Sequence, residues 1–168
     1  PPLKAAKLPA FGMTKRAGRS LSNDPGFGAV LAAPASAVCL VAKSWDYHVE
    51  VALGIILDEN LRAIVESVRA VREAGREAMI DCEHFFDGFK ANRDYALSCA
   101  KAAYENGARW VVLCDTNGGT LPDEVEAIVR AVTEAIPGSH LGIHAHNDTE
   151  NAVANTLAAI RAGARQVQ

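Results

Sequence analysis

The sequence predicts an α/β fold, a (β/α)8 or TIM barrel that is incomplete in this chain. Short apolar runs rich in Val, Ile and Leu alternate with longer stretches of helical periodicity that contain Ala, Glu and Arg. The apolar runs begin at residues 7, 38, 77, 110, 140 and 166, so successive starts are 31, 39, 33, 30 and 26 residues apart. This spacing is close to the roughly 31 residues per unit of a barrel of about 250 residues.

Six strands and five helices follow from this pattern. The predicted strands begin near Lys7, Val38, Glu77, Trp110, His140 and Gln166. The predicted helices cover Asp24 to Ala33, Glu59 to Ala74, Arg93 to Asn106, Asp123 to Ile136 and Glu150 to Ala162. Asn92 suits a helix N-terminus and Pro122 a first helical position, which supports two of these helices.

Polar side chains follow four of the predicted strands. A doubly wound sheet binds its ligand at one switch point, whereas a barrel presents polar residues at the C-terminal ends of many strands. The four groups are Trp45, Asp46 and His48; Asp81, Glu83 and His84; Asp115, Thr116 and Asn117; and His144, His146, Asn147 and Asp148. This distribution favours the barrel, although five and a half units cannot close a cylinder of eight strands.

The length, charge and hydrophobic content of the chain argue against some classes of function. The chain has 168 residues, 49% of them hydrophobic and 22% charged, which fits one soluble domain over residues 1–168. The net charge of −3 argues against nucleic-acid binding, and no apolar run reaches the roughly 20 residues of a membrane span. Residues 1–7 lack the apolar stretch of a secretory signal, so we expect a cytoplasmic protein. The four cysteines have no close spacing and are expected to be buried free thiols, with metal binding or a disulfide as alternatives.

His144 and His146 are the strongest candidates for metal ligands. Residues two apart on a strand project to the same side, so both imidazoles can reach one cation while Ala145 packs against the outer helices. Imidazoles suit Zn²⁺, Mn²⁺, Co²⁺ or Fe²⁺, and added carboxylates shift the preference toward harder ions. The alternative is a pair that only forms hydrogen bonds in a polar barrel mouth.

Asp81 and Glu83 share a face by the same rule, and their position at the end of the strand that begins near Glu77 places both near the barrel axis, where the metal would sit. A carboxylate there could ligate a metal, hold its water or transfer a proton, and Glu83 is the better candidate for proton transfer. The alternative is a structural salt bridge with Lys90 or Arg93.

Thr116 lies in the segment from Asp115 to Thr120 that follows another strand. It shares its face with Cys114, so its hydroxyl can line the barrel mouth and bind a substrate carboxylate, while Gly118 and the glycine after it permit a tight turn. A phosphate loop is the alternative, but the P-loop lysine and spacing do not occur here. Trp45 and His48 could border a substrate or serve the structure.

The chain resembles the catalytic barrel of the isopropylmalate, homocitrate and citramalate synthases in three segments, DCEHFFDGFKAN, WVVLCDTNGGTLPDEV and GIHAHNDTENAVANTLAAIRAGARQVQ. Within that group it looks most like the citramalate synthase branch, through EHFFDG, LCDTNGG, ARQVQ, FGMT and AKSWDYHV. The resemblance covers essentially the whole chain, which would correspond to about strands three to the start of eight.

The resemblance implies a Claisen-type condensation in which acetyl-CoA adds to a 2-keto acid and the thioester is then hydrolysed. Pyruvate is the expected keto acid, giving citramalate in isoleucine and leucine biosynthesis. The resemblance also implies that His144 and His146 bind a divalent ion (Mg, Mn or Zn), that Glu83 is catalytic, and that Thr116 contacts the keto acid and takes part in catalysis. Asp81 stands where some members carry a bulkier residue of the keto-acid pocket.

This sequence departs from the family pattern in its metal ligands. The family's first strand carries an Asp ligand and an arginine in a motif like DGTLRDG, which does not occur here, and the Asn-Gly motif of the eighth strand would follow Gln168. Because these ligands do not occur in the chain, we expect this fragment to be inactive by itself. Separately, we expect the full-length protein to be a homodimer. Alternatives are an isopropylmalate or homocitrate synthase, a lyase of the same superfamily, and an inactive barrel fragment with a structural or binding role.

Overall fold

The structure is a computed structural model that describes residues 6–168. Residues 1–5, which belong to the predicted domain and to the segment inspected for a secretory signal, lie outside the described residues. Among the helices of residues 6–168, none has both the length and the apolar character needed to span a membrane.

Within residues 6–168, six strands form one sheet in which neighbours in sequence are neighbours in space, and all pairs are parallel. The strands are β1 (Pro9–Met13), β2 (Ala37–Lys43), β3 (Glu77–Glu83), β4 (Trp110–Asp115), β5 (Leu141–Ala145) and β6 (Gln166–Val167). Each begins within two residues of its predicted start, so all six predicted strands are confirmed.

Helices connect the strands. They are α1 (Pro25–Ala32), α2 (Asp46–His48), α3 (Leu57–Glu73), α4 (Phe85–Ala91), α5 (Arg93–Glu105), α6 (Pro122–Thr133) and α7 (Ala152–Ala162). The five predicted helices are confirmed, and so are the cap at Asn92, whose side chain accepts from the Tyr95 N–H at 3.2 Å, and the first-turn position of Pro122. Two short 3₁₀ segments, Leu21–Asn23 and Gly138–His140, complete the connections.

The prediction missed α2, which continues into a π-helical turn over Val49–Leu53, and α4. Helix α4 follows β3 almost directly, and its aromatic residues Phe85 and Phe86 read as a continuation of the strand. Both rings are fully buried in the core, so packing decides this conformation. Gly88 fits the same packing, because a Cβ there would overlap the carbonyl oxygen of Ser44.

The strand order identifies the sheet as an arc of a TIM barrel. Right-handed crossovers between consecutive parallel strands place every helix on one face, whereas a doubly wound sheet reverses its order and carries helices on both faces. The helix-facing side is a dry core made by alternate strand residues, including Val38, Leu40, Ile80, Leu113 and Ile143, all at 0% exposure. The opposite face, the barrel interior, is where polar strand residues collect.

Candidate active site

The five residues that the sequence singles out lie around one pocket. It is a concavity of about 170 Å³ at the C-terminal ends of β3, β4 and β5. It is lined by Phe11, Val41, Asp81, Glu83, Cys114, Thr116, His144 and His146. Period-two alternation brings these side chains to the interior face, and the parallel register brings the strand ends together.

His144 and His146 project to the same side of β5, with ring centroids 5.0 Å apart and planes tilted by 39°. His144 is half-buried and His146 exposed, while Ala145 between them packs against the helical core as expected. Two neighbouring imidazoles beside a carboxylate form a donor set that suits a divalent cation of the first transition row or Mg²⁺. The residues therefore fit the predicted metal, whose binding stays a prediction.

Asp81 is a buried carboxylate on the pocket floor, 6% exposed. One of its oxygens, Oδ1, accepts from Cys39 Sγ and from Gln168 Nε2, each at 3.2 Å. Burial raises the pKa of Asp81, and these two donors together with His144 partly oppose that shift. Gln168 Oε1 lies 3.0 Å from His144 Nδ1, so one amide side chain bridges Asp81 and His144.

Glu83 forms an ion pair, but its partner is not the one considered from the sequence. Its Oε2 is paired with the Nζ of Lys43, the residue directly opposite it in the β2–β3 register. Lys90 instead faces Glu124 at 3.7 Å, and the Arg93 guanidinium lies over an aromatic ring. The suggested pairing with Lys90 or Arg93 is therefore wrong, and a cation stands beside the carboxylate at the pocket edge.

Thr116 is held by the backbone of the neighbouring strand end. Its hydroxyl accepts a 2.8 Å hydrogen bond from the N–H of His84, and it thereby keeps its own proton available for a ligand oxygen. His84 has a left-handed backbone, with φ at 56°, and its Nδ1 lies 3.2 Å from Asp87 Oδ2. Thr116 can thus present an oriented donor to a carboxylate.

Asp115 points away from the pocket, although the sequence grouped it with the strand-end residues. Its carboxylate is 1% exposed and accepts from Thr120 Oγ1 at 2.8 Å and from Asn155 Nδ2 at 3.3 Å. Its carbonyl oxygen accepts from the His146 N–H at 3.2 Å. Asp115 therefore holds the loops after β4 and β5 in place.

Aromatic rings cluster at the end of β2, outside the residues that line the pocket. His48 stacks on Trp45 with centroids 4.7 Å apart, and its ring meets His84 edge-on at 4.2 Å. Burial lowers the pKa of His48, and the nearby His84 and Lys43 add to that effect. These contacts support His84 from the outside, which is the structural role considered for Trp45 and His48.

Three residues of the site were missed as functional candidates: Lys43, Cys114 and Gln168. The main expectation for Cys114 was a buried free thiol, with metal binding or a disulfide as alternatives, and all four cysteines are indeed buried and free. Its position two residues before Thr116 is the signal that places it on the pocket face. Lys43 and Gln168 act through pairing across strands, which a single sequence does not display.

Comparison with known proteins agrees with this geometry. The HMGL-like family model matches residues 20–168. The chain is 51% identical to the (R)-citramalate synthase of Aquifex aeolicus and 52% identical to that of Streptomyces coelicolor, over 98% of this chain in each case. It spans 31% of the length of either relative.

Among solved structures, the hydroxymethylglutaryl-CoA lyase of Pseudomonas aeruginosa superposes with a TM-score of 0.75 at 20% identity, covering 95% of this chain and 52% of the lyase. At that identity the likeness concerns the fold, and it agrees with the barrel arc. The family match covers most of the described residues and includes every pocket residue except Phe11. The chain therefore belongs to the HMGL-like family, and within it the sequence similarity lies with the citramalate synthase branch.

Proposed function

We propose that residues 1–168 form part of the catalytic barrel of a metal-dependent acyltransferase that joins acetyl-CoA to a 2-keto acid, with pyruvate giving citramalate. One observation carries the proposal: Glu83, Thr116, His144 and His146 converge on a single pocket at the strand ends. The similarity to (R)-citramalate synthases supports it further.

Thr116 is proposed to bind the keto acid. Its hydroxyl already accepts from the His84 N–H, so its proton is free to be donated to the substrate carboxylate. His144 and His146 would hold the divalent ion, which when bound polarises the substrate carbonyl as a Lewis acid. The small pocket volume, about 170 Å³, suits a compact keto acid at this end of the site.

Glu83 is proposed to accept the proton that leaves the acetyl methyl group. It stands at the pocket edge, half-buried, with its Oε2 paired to Lys43. The ammonium fixes the carboxylate in position and places a positive charge near the carbanion character that develops on the acetyl group. Proton removal by Glu83 on β3 and carbonyl activation at the histidine pair of β5 would then act on the two reactants from opposite sides of the end of β4.

The assay follows CoA release from acetyl-CoA with pyruvate and Mn²⁺, in a polypeptide of the relatives' length that carries this chain. Glu83→Gln is expected to lower kcat by about 10²- to 10⁴-fold with little change in KM. His144→Ala and His146→Ala are expected to lose the binding of Mn²⁺, the ion that the assay supplies. His140→Ala is the matched control, because His140 precedes β5 at the opposite edge of the sheet and should leave activity unchanged. Full activity of Glu83→Gln would contradict the proposal.

The substrate that the protein turns over distinguishes the proposed reaction from the alternative reactions. Turnover with 2-ketoisovalerate or 2-ketoglutarate in place of pyruvate would indicate the isopropylmalate or homocitrate reaction, and cleavage of a hydroxyacyl-CoA would indicate a lyase. The 168-residue chain assayed alone is expected to be inactive, since the DGTLRDG-like motif does not occur in it. Turnover by that chain would contradict this expectation.

The wider context belongs to the same proposal. We propose a role in isoleucine or leucine biosynthesis, a cytoplasmic location and a homodimer for the full-length protein. Size-exclusion chromatography with light scattering tests the dimer, and isoleucine or leucine auxotrophy on gene deletion tests the pathway.

A further inference from the structure

His144 has a second set of neighbours besides His146. Among residues 6–168, donor atoms of Asp81, Cys114 and His144 lie within 4.8 Å of one another, and no other group of three such side chains is this close. The three residues come from adjacent strands, since Cys114 is directly opposite His144 in the register and Asp81 is on β3 beside β4. The strand framework therefore brings a carboxylate, a thiol and an imidazole together.

This group lies deeper than the histidine pair. Asp81 and Cys114 are each 6% exposed and His144 is half-buried, whereas His146 is exposed. Gln168 bonds to both Asp81 and His144, at 3.2 and 3.0 Å, and so holds two of the three donors in fixed orientation. Outer hydrogen bonds of this kind orient metal ligands in proteins.

The donor types select the class of cation. Zinc bonds of about 2.0–2.3 Å to O, N and S bring the donors of a tetrahedral site to about 3.3–3.7 Å from one another, so small side-chain rotations would close the group around an ion. A thiolate ligand favours Zn²⁺, Co²⁺ or Cd²⁺ over Mg²⁺ or Mn²⁺.

We propose that a thiophilic divalent cation binds Asp81, Cys114 and His144 at a position separate from the His144–His146 pair. Binding exchanges the S–H bond of Cys114 for a metal–sulfur bond and releases one proton to solvent. Because His144 belongs to both sets, the deeper site and the histidine pair compete for one ring. A soft cation would therefore displace the ion that the histidine pair holds.

Cobalt tests this directly, because a thiolate ligand gives Co²⁺ a near-ultraviolet sulfur-to-metal charge-transfer band. The protein is stripped of metal by chelation and titrated with Co²⁺ alone. The unmodified protein and His146→Ala should show the band, Cys114→Ala should lose it, and Asp81→Asn should bind Co²⁺ at least about tenfold more weakly.

Cys39→Ala is the matched control, since Cys39 lies on the same face and contacts Asp81 but stands outside the group of three. It should keep the band.

Far-ultraviolet circular dichroism shows whether each variant folds, and Cys114→Ser replaces Cys114→Ala in the test if the alanine variant does not fold. The proposal is overturned by absence of the band in the unmodified protein, by its survival in Cys114→Ala or Cys114→Ser, or by its loss in His146→Ala. An active enzyme without the band would contradict the proposed cation site but not the proposed condensation. An inactive enzyme with the band would contradict the condensation but not the cation site.

Discussion

The backbone N–H of His84 donates a 2.8 Å hydrogen bond to the hydroxyl of Thr116, joining the end of β3 to the residue after β4. The direction of this donor depends on the left-handed conformation of His84, with φ at 56°. A non-glycine residue adopts that conformation at a cost of roughly 1–2 kcal/mol. The orientation of the proposed keto-acid contact thus rests on a strained backbone.

Replacing His84 should show this dependence. Asn tolerates the left-handed region and β-branched residues do not, so His84→Asn should keep the N–H aimed at Thr116 and His84→Val should not. We expect His84→Val to unfold with about 1–2 kcal/mol less free energy than His84→Asn, and to raise KM for the keto acid but not for acetyl-CoA. Urea denaturation and steady-state kinetics measure both. Equal behaviour of the two variants would show that Thr116 does not need this donor.

Gly118 and Gly119 should differ in their tolerance of alanine. Gly118 has φ at 61°, and a Cβ there would lie 2.6 Å from Asp148 Oδ2 and 2.9 Å from its backbone N, whereas a Cβ at Gly119 meets nothing within 4 Å. Gly118→Ala should therefore lower the unfolding free energy by at least about 1 kcal/mol and weaken metal binding through the loop after His146. Gly119→Ala, the control, should be close to neutral in denaturation and in metal titration. Comparable losses in both variants would contradict the argument.

The fully buried amide of Asn155 should matter more than that of Asn151, the half-buried N-cap of the same helix. Its Nδ2 donates to the Thr120 carbonyl at 2.8 Å and to Asp115 Oδ2 at 3.3 Å, and the residue is 0% exposed. Asn155→Ala leaves these buried acceptors short of a donor and should cost about 1–3 kcal/mol of unfolding free energy. Asn151→Ala should cost less than about 0.5 kcal/mol, because the Asn151 side chain forms no cap hydrogen bond to α7. Chemical denaturation of both variants gives the comparison, and a small effect at Asn155 would argue that water replaces its amide.

Asp24 should make the free energy of unfolding depend on pH in the acidic range. Its carboxylate caps α1 by accepting from the N–H groups of Gly26 and Phe27 at 3.1 and 3.2 Å, and it also accepts from the Arg16 N–H at 2.7 Å. Burial by itself raises the pKa of Asp24, but the three donors outweigh it and the pKa is lowered.

Because the folded-state pKa is depressed, the stabilisation is complete above the unfolded value of about 3.9 and is lost as pH falls through the lower folded value. Asp24→Asn should therefore be less stable than the unmodified protein by about 1 kcal/mol near neutral pH, because its side chain carries no charge at the helix N-terminus and its NH2 group cannot accept from a backbone N–H. The difference should shrink below about pH 4. Urea denaturation across this range measures it, and a difference that stays constant in acid would exclude a contribution from the charge.

The strands and most helices could be predicted because their signals are local. Apolar runs at regular spacing mark the buried strands, and caps such as Asn92 mark helix ends. Helix α4 could not be predicted because Phe85 and Phe86 are as apolar as strand residues, and only their burial against the neighbouring elements favours the helical turn. Propensity over so short a segment is outweighed by tertiary packing.

The sequence predicted those site residues that follow from the two-residue alternation of side chains along a strand. That rule places Asp81 with Glu83, His144 with His146, and Thr116 on one face, and these residues do share a pocket. The same rule groups Asp115 with the helix-facing Leu113, where the structure has it. The Lys43–Glu83 pair depends on the register between strands, which leaves no trace in either strand taken alone.

The hydrogen bond from the His146 N–H to the Asp115 carbonyl makes the β4 and β5 loops one mechanical unit. If either loop were grafted from another barrel without its neighbour, the donor or the acceptor of that bond could be displaced. A design that changes the keto acid bound by the pocket should therefore transfer both loops together with Asn155, the α7 residue whose amide bonds to Asp115 and to the Thr120 carbonyl.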